Sequence, residues 1–146
     1  EFRARSALAG VVGFGTACRD SREQVGTLRG TGLPTRGNDR FGIELSGAMP
    51  SAAGVLLVGD RDDHVGGVPL PLYLAFAGMP GCLLYHNARL AVPVMTDSTG
   101  SLRRALPIPN HRGLRDARLI AQCYVRDPAA NVAGAVTTGA LSVLID

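Results

Sequence analysis

Residues 40–46 of the chain, RFGIELS, put Phe41, Ile43 and Leu45 on one side of an extended backbone and Gly42, Glu44 and Ser46 on the other. That two-residue period belongs to a half-buried strand. Runs with β-branched, aromatic or alternating character recur at 7–14, 25–29, 53–59, 68–76, 82–85, 88–95, 101–107, 117–126 and 136–144, and each closes on a turn signal. The 19 glycines and 9 prolines are spread through the chain rather than pooled in a tail, as many turns between short strands require. The pattern predicts an all-β fold, an antiparallel β-sandwich of immunoglobulin-like or jelly-roll-like type with about eight to ten short strands.

Local signals refine this expectation. Asp97-Ser98-Thr99-Gly100 reads as a hairpin loop, with glycine where φ turns positive. Helix signals are confined to residues 110–116, NHRGLRD, where Asn110 can cap one short turn after Pro107 and Pro109 and carry the chain between two sheets. Pro69, Pro71 and Pro93 fall inside strand-like runs, so those runs belong at edges or bulges, because proline donates nothing to a ladder. At 146 residues the chain suits one domain over 16–146. Residues 1–15 form an amino-terminal extension or strand that a neighbouring subunit could take up.

Composition excludes several functions. All 15 basic residues are Arg and they are scattered, giving a net charge of +3 with only 5% aromatics and no Trp. Nucleic-acid binders concentrate charge on one face and interleave stacking rings, so no nucleic-acid partner is expected. No run approaches the length of a membrane-spanning helix. The segment GVVGFG at 10–15 lacks the Lys of a phosphate loop and no helix follows it; its glycines fit close backbone approach better. His64, His86 and His111 lie far apart, no Gly-x-Ser-x-Gly elbow accompanies them, and the 12 acidic residues sit mostly in loops. The chain therefore reads as a non-enzyme with no cofactor. Its densest polar cluster is Asp60, Asp62 and Asp63 beside His64. These hard oxygen donors suit a cation, but Arg61 lies among them and the glycine and distal Glu of a calcium loop are missing.

Cys18, Cys82 and Cys123 are widely spaced with no Cys-x-x-Cys pair, against a zinc ribbon or a thioredoxin-type motif. If the chain is secreted, one long-range disulfide and one free thiol are expected; in a reducing compartment all three would be core thiols. Arg3 and Arg5 ahead of SALAGVVGFGTAC mimic a signal peptide running into a lipobox, yet Gly10, Gly13 and Gly15 interrupt the apolar stretch. A signal removed upstream of Glu1 fits better, and the expected location is extracellular.

Four blocks in order carry a resemblance: GTAC at 15–18, GLPTRGNDRFGIELSGAMPSAAGVLLVG at 32–59, PLPLYLAFAGMPGCLLYH at 69–86, and TDSTGSLRRALPIPNHRGLRDARLIAQCYVRDPAANVAGAVTTGALSV at 96–143. Together they resemble an uncharacterised domain common in secreted proteins of planctomycete-like bacteria. The resemblance implies a secreted β-sandwich with no established activity. Its two glycine-adjacent cysteines match Cys18 and Cys82, which implies that these two pair. Where that pattern carries an aromatic, this chain has Cys123, a core substitute and unpaired thiol. Where it carries Ser-Pro-Asp, this chain has His86-Asn87-Ala88, which weakens any ligand role there.

The functional expectation is an extracellular structural protein that self-assembles into a filament, fibre or surface layer through strand pairing, hence a homo-oligomer or polymer. The donated strand would be the run containing Ala7, Leu8, Val11, Val12 and Phe14, since strand addition uses main-chain bonds for affinity and alternate side chains for register. The alternative is a non-catalytic carbohydrate- or surface-binding module with a glycan or cell-surface partner.

Overall fold

The computed structural model describes residues 10–146. Its strands are β1 (Val11–Phe14), β2 (Thr27–Thr31), β3 (Gly42–Ser46), β4 (Ala53–Gly59), β5 (His64–Val65), β6 (Val68–Pro69), β7 (Leu72–Tyr73), β8 (Leu83–Leu84), β9 (Leu90–Met95), β10 (Leu102–Ala105), β11 (Arg118–Arg126) and β12 (Ala135–Leu144). A five-stranded sheet of order β1-β12-β11-β4-β9 faces a three-stranded sheet of order β10-β3-β2, and two small ribbons pair β5 with β6 and β7 with β8. Every pairing is antiparallel. The all-β sandwich expected from the alternation is what forms.

The alternation of β3 is realised as Phe41, Ile43 and Leu45 buried between the sheets. They meet Leu56 and Val58 of β4, Ala121, Cys123 and Val125 of β11, and Leu141 and Val143 of β12 in the inter-sheet core. The even residues of β11 point the other way. Ile120 packs with Tyr85 and Ala140, and Tyr124 packs against the cluster of Cys18, Met79 and Cys82. The segment 70–87 therefore covers the outer face of the five-stranded sheet as a third layer. Gln122, fully buried, ties it down: its amide donates to Leu83 O at 2.7 Å and Thr138 O at 2.8 Å, and its carbonyl accepts from Tyr85 N at 3.2 Å. A strand covered on both faces reads as the near-continuous apolar run LIAQCYV rather than as an alternating one.

Three local expectations change. The run 68–76 is not one strand: Pro69 and Pro71 interrupt it, and it becomes β6, β7 and the start of a 3-10 turn over Ala75–Ala77. The turn Asp97–Gly100 is well formed, with Asp97 Oδ1 accepting from Thr99 N at 2.9 Å and Ser101 N at 3.0 Å. It is no hairpin, however, since β9 and β10 belong to different sheets. The short helical turn spans Arg112–Leu114 on the crossover from β10 to β11, capped by His111 rather than Asn110: His111 Nδ1 accepts from Gly113 N at 3.0 Å. Pro93 sits in β9, the outermost strand, where its missing donor costs no ladder bond.

Candidate functional site

At the free edge of the five-stranded sheet, β1 lies on β12 with Val11 opposite Val143, Val12 opposite Ser142, Gly13 opposite Leu141 and Phe14 opposite Ala140. Its side chains use both faces. Val11 enters the inter-sheet core against Gly30, where even a Cβ would come within 3.0 Å of its Cγ1. Phe14 meets the Tyr85 ring edge-on at 5.6 Å between centroids, and the Arg118 guanidinium sits 5.9 Å from the Phe14 ring centre. Val12 is 50% exposed. Gly15 follows at φ 76, where a Cβ would overlap the Tyr85 ring at 2.4 Å, so only glycine lets the chain pass. Thr16 N then donates to Tyr85 Oη at 2.7 Å. Ala7 and Leu8, expected on the same strand, lie outside the described residues.

Cys18 and Cys82 form a disulfide with Cα atoms 4.9 Å apart, joining the segment after β1 to the third layer. Cys123 is a free, buried thiol, and burial pushes it up to about 12, so no reactive thiolate is present near neutral pH.

The acidic loop does not converge. Asp60 accepts from Asn87 Nδ2 at 2.7 Å, Asp62 pairs with Arg118 at 2.7 Å, and Asp63 takes Arg61 at 2.8 and 3.0 Å with His64 Nδ1 at 3.1 Å. The Arg61 fork holds the Asp63 carboxyl down at about 2. Among the described residues no group of three or more His, Cys, Asp or Glu is placed to hold a metal ion. His64, His86 and His111 are likewise not brought together: His64 lies exposed on β5, His111 caps the 112–114 turn, and His86 is fully buried under Gly59. Its Nδ1 accepts from Ala88 N at 2.9 Å, and its Nε2 has no hydrogen-bond partner among the described residues. Burial alone pulls its titration down to about 4, which keeps the ring neutral.

Two features escaped the sequence. Asp20 and Asp127 are buried and pin the strand-free segment 18–24, Asp20 accepting from Arg22 and Gln24 and Asp127 from Ser21 N at 2.7 Å. The Asp-Ser-Arg and Asp-Pro contexts were the available turn signals. The other feature is a cavity of about 510 Å³ between the sheets at the end of the sandwich where β4 stops and β9 starts. Phe41, Ile43, Val58, Ala121 and Val143 form its floor, and Asp60, Arg89, Leu90 and Pro109 stand at its exposed mouth. Seven separate chain segments contribute to it, so no local pattern announces it.

No helix among the described residues is long and apolar enough to cross a membrane. Comparison with protein-family models, with curated proteins and with solved structures gives no match for this chain.

Proposed function

We propose that the protein is an extracellular, non-catalytic structural subunit that self-assembles by exchanging β1 between neighbouring copies. One observation carries the reading: β1 is the amino-terminal described strand, lies at a sheet edge, and is seated by Val11 on one face and Phe14 on the other. Alternate side-chain seats plus main-chain bonds are what strand addition needs. A neighbour's β1 on the same β12 edge repeats the internal contacts, so exchange costs little beyond association, and a head-to-tail arrangement propagates into a filament.

The disulfide constrains the geometry. Cys18 is anchored to its own third layer, so the pivot is confined to Gly15, Thr16 and Ala17. Three extended residues reach about 10 Å, which requires subunits in direct contact. The buried disulfide also favours an oxidising compartment.

Size-exclusion chromatography and electron microscopy of the full chain and of a chain starting at residue 16 test this. The full chain is expected to assemble and the shortened one to remain monomeric. Assembly of the shortened chain, or a full chain that stays monomeric at all concentrations, overturns the proposal.

The carbohydrate- or surface-binding alternative has one favouring observation: Tyr73, 71% exposed, and Phe76, 78% exposed, stand on the third layer as solvent-facing rings. Aromatic faces of that kind can stack on sugars. A glycan array without signal above background removes it.

A further inference from the structure

The cavity at the end of the sandwich is independent of the strand-exchange reading. Its volume of about 510 Å³ lies within the range of roughly 300–1,000 Å³ typical of small-molecule sites. Pro107 and Pro109 flank Ile108 on the crossover from β10, and Ile108 is held at both ends, its N–H donating to Asn38 O at 2.9 Å and its carbonyl accepting from Gly37 N at 2.9 Å. Farther along, Asp116 N donates to Ile145 O at 2.9 Å and Ile145 N to Ala117 O at 2.8 Å. The crossover is thus held by main-chain bonds to the segments flanking β3 and β12 on either side of the gap.

The walls select the occupant. Apart from Asp60 and Arg89 at the mouth, the lining side chains carry no hydrogen-bonding group. A sugar, nucleotide or peptide placed there would lose its hydration with nothing in return. Water that enters from the mouth finds no hydrogen-bonding side chain on the walls, so an apolar occupant displaces it at little loss. The body of the ligand is therefore hydrocarbon. At the mouth the two charged groups are not equivalent. Asp60 is already engaged by the Asn87 amide at 2.7 Å. Arg89 has its side chain 70% exposed and its guanidinium 3.9 Å from that carboxylate, beyond hydrogen-bond reach. Among the described residues the mouth therefore offers an anion a donor fork with no hydrogen-bonded partner, while the adjacent Asp60 charge penalises a dianion. A carboxylate meets a guanidinium fork in a two-bond geometry.

We propose that the cavity binds a monoanionic amphipathic molecule of the fatty-acid class, its alkyl chain between the sheets against Phe41, Val58 and Ala121 and its carboxylate on Arg89.

Calorimetric titration of the full chain with decanoate, decanol and decylamine tests it, with Arg89→Gln, Ala121→Phe and Leu106→Trp variants alongside. Decanoate is expected to saturate at one molecule per chain, about tenfold tighter than decanol and tighter still relative to decylamine. Arg89→Gln, a surface change, is expected to erase the preference for acid over alcohol while leaving decanol binding unchanged. Ala121→Phe fills the floor and is expected to abolish binding of both. Should that variant not fold, Leu106→Trp at the half-buried wall is expected to do the same. Four results overturn the proposal: no saturable decanoate binding; equal binding of acid and alcohol by the unaltered chain; binding that survives a folded cavity-filling variant; or binding that appears only after residues 1–9 are deleted. The last would mean that the chain's own amino-terminal segment is the occupant.

Discussion

Opening the Cys18–Cys82 bridge separates what the cross-link does from what the core does. The bridge closes a loop with a sequence separation of 64 residues. In the chain-entropy description, a loop of that length removes about 14 cal/mol/K from the unfolded ensemble, worth about 4 kcal/mol at 25 °C. For a chain of this size each kcal/mol moves Tm by about 3 °C, so a Cys18→Ala/Cys82→Ala variant should melt about 12 °C lower. Packing adds a smaller loss. Both sulfurs are buried beside Met79, Ala135 and Val136, and Cys18 Sγ accepts from Thr137 N at 3.1 Å, so deleting them leaves a small void worth about 1 kcal/mol. Calorimetry and urea unfolding, each run on the oxidised protein, the reduced protein and the double variant, measure these terms separately. Reduction should reproduce the loop term, and the m-value should rise in both cases because the unlinked unfolded chain exposes more surface. A Cys123→Ala control should leave the oxidised–reduced difference intact, since that thiol is not in the bridge. A loss below about 1 kcal/mol on reduction, with m unchanged, would refute the reasoning. It would mean that residues 18 and 82 stay together in the unfolded chain.

Three further outcomes are expected. His86 titrates at about 4 when folded and about 6.5 when unfolded, so the unfolded state takes up the proton first and stability present above about pH 6.5 is lost between there and pH 4. The fall should total about 3 kcal/mol, and His86→Asn, which keeps an acceptor for Ala88 N, should flatten it; a urea midpoint constant from pH 7 to 4.5 contradicts this. Gln122→Leu strands Tyr85 N, Leu83 O and Thr138 O without partners and should cost about 3 kcal/mol or more, with faster amide exchange over 83–87; a near-neutral change sinks the clamp assignment. Gly100→Ala places a Cβ 1.9 Å from Ala48 O at φ +79 and should cost at least about 2 kcal/mol by denaturant melting; an unchanged midpoint means that turn can move.

Strand positions were legible where one face is buried and the other wet. β3 and β4 fall within two residues of their expected limits, because a one-residue slip would turn every apolar side chain outward. Partner assignment was less accessible. The Asp97–Gly100 turn has every local property of a hairpin loop, and whether the strands beside it pair or part depends on which sheet each one completes. The capping of the 112–114 turn by His111 rather than Asn110 has the same origin, since both side chains can accept and the crossover geometry chooses.

Among the candidate sites the contrast is sharper. The acidic loop was the most conspicuous polar cluster, yet each carboxylate went to a different partner, with Asp62 drawn to Arg118, 56 residues away in sequence. The cavity carried no signal in advance, because its walls look like core in every segment that supplies them.

The amino-acid sequence by itself determined the all-β class, the place of most strands, the confinement of Pro93 to a margin and the short helical turn near 110–116, though not the second one over Ala75–Ala77. Each follows from side-chain period or from what proline and glycine permit locally. Only the tertiary structure decided that segment 70–87 becomes a third layer, that β11 is buried on both faces, that His86 is sealed and neutral, and that the sandwich keeps an apolar cavity with Arg89 at its mouth. Those depend on which distant surfaces meet, and burial is a property of the pair of surfaces, not of either stretch of chain.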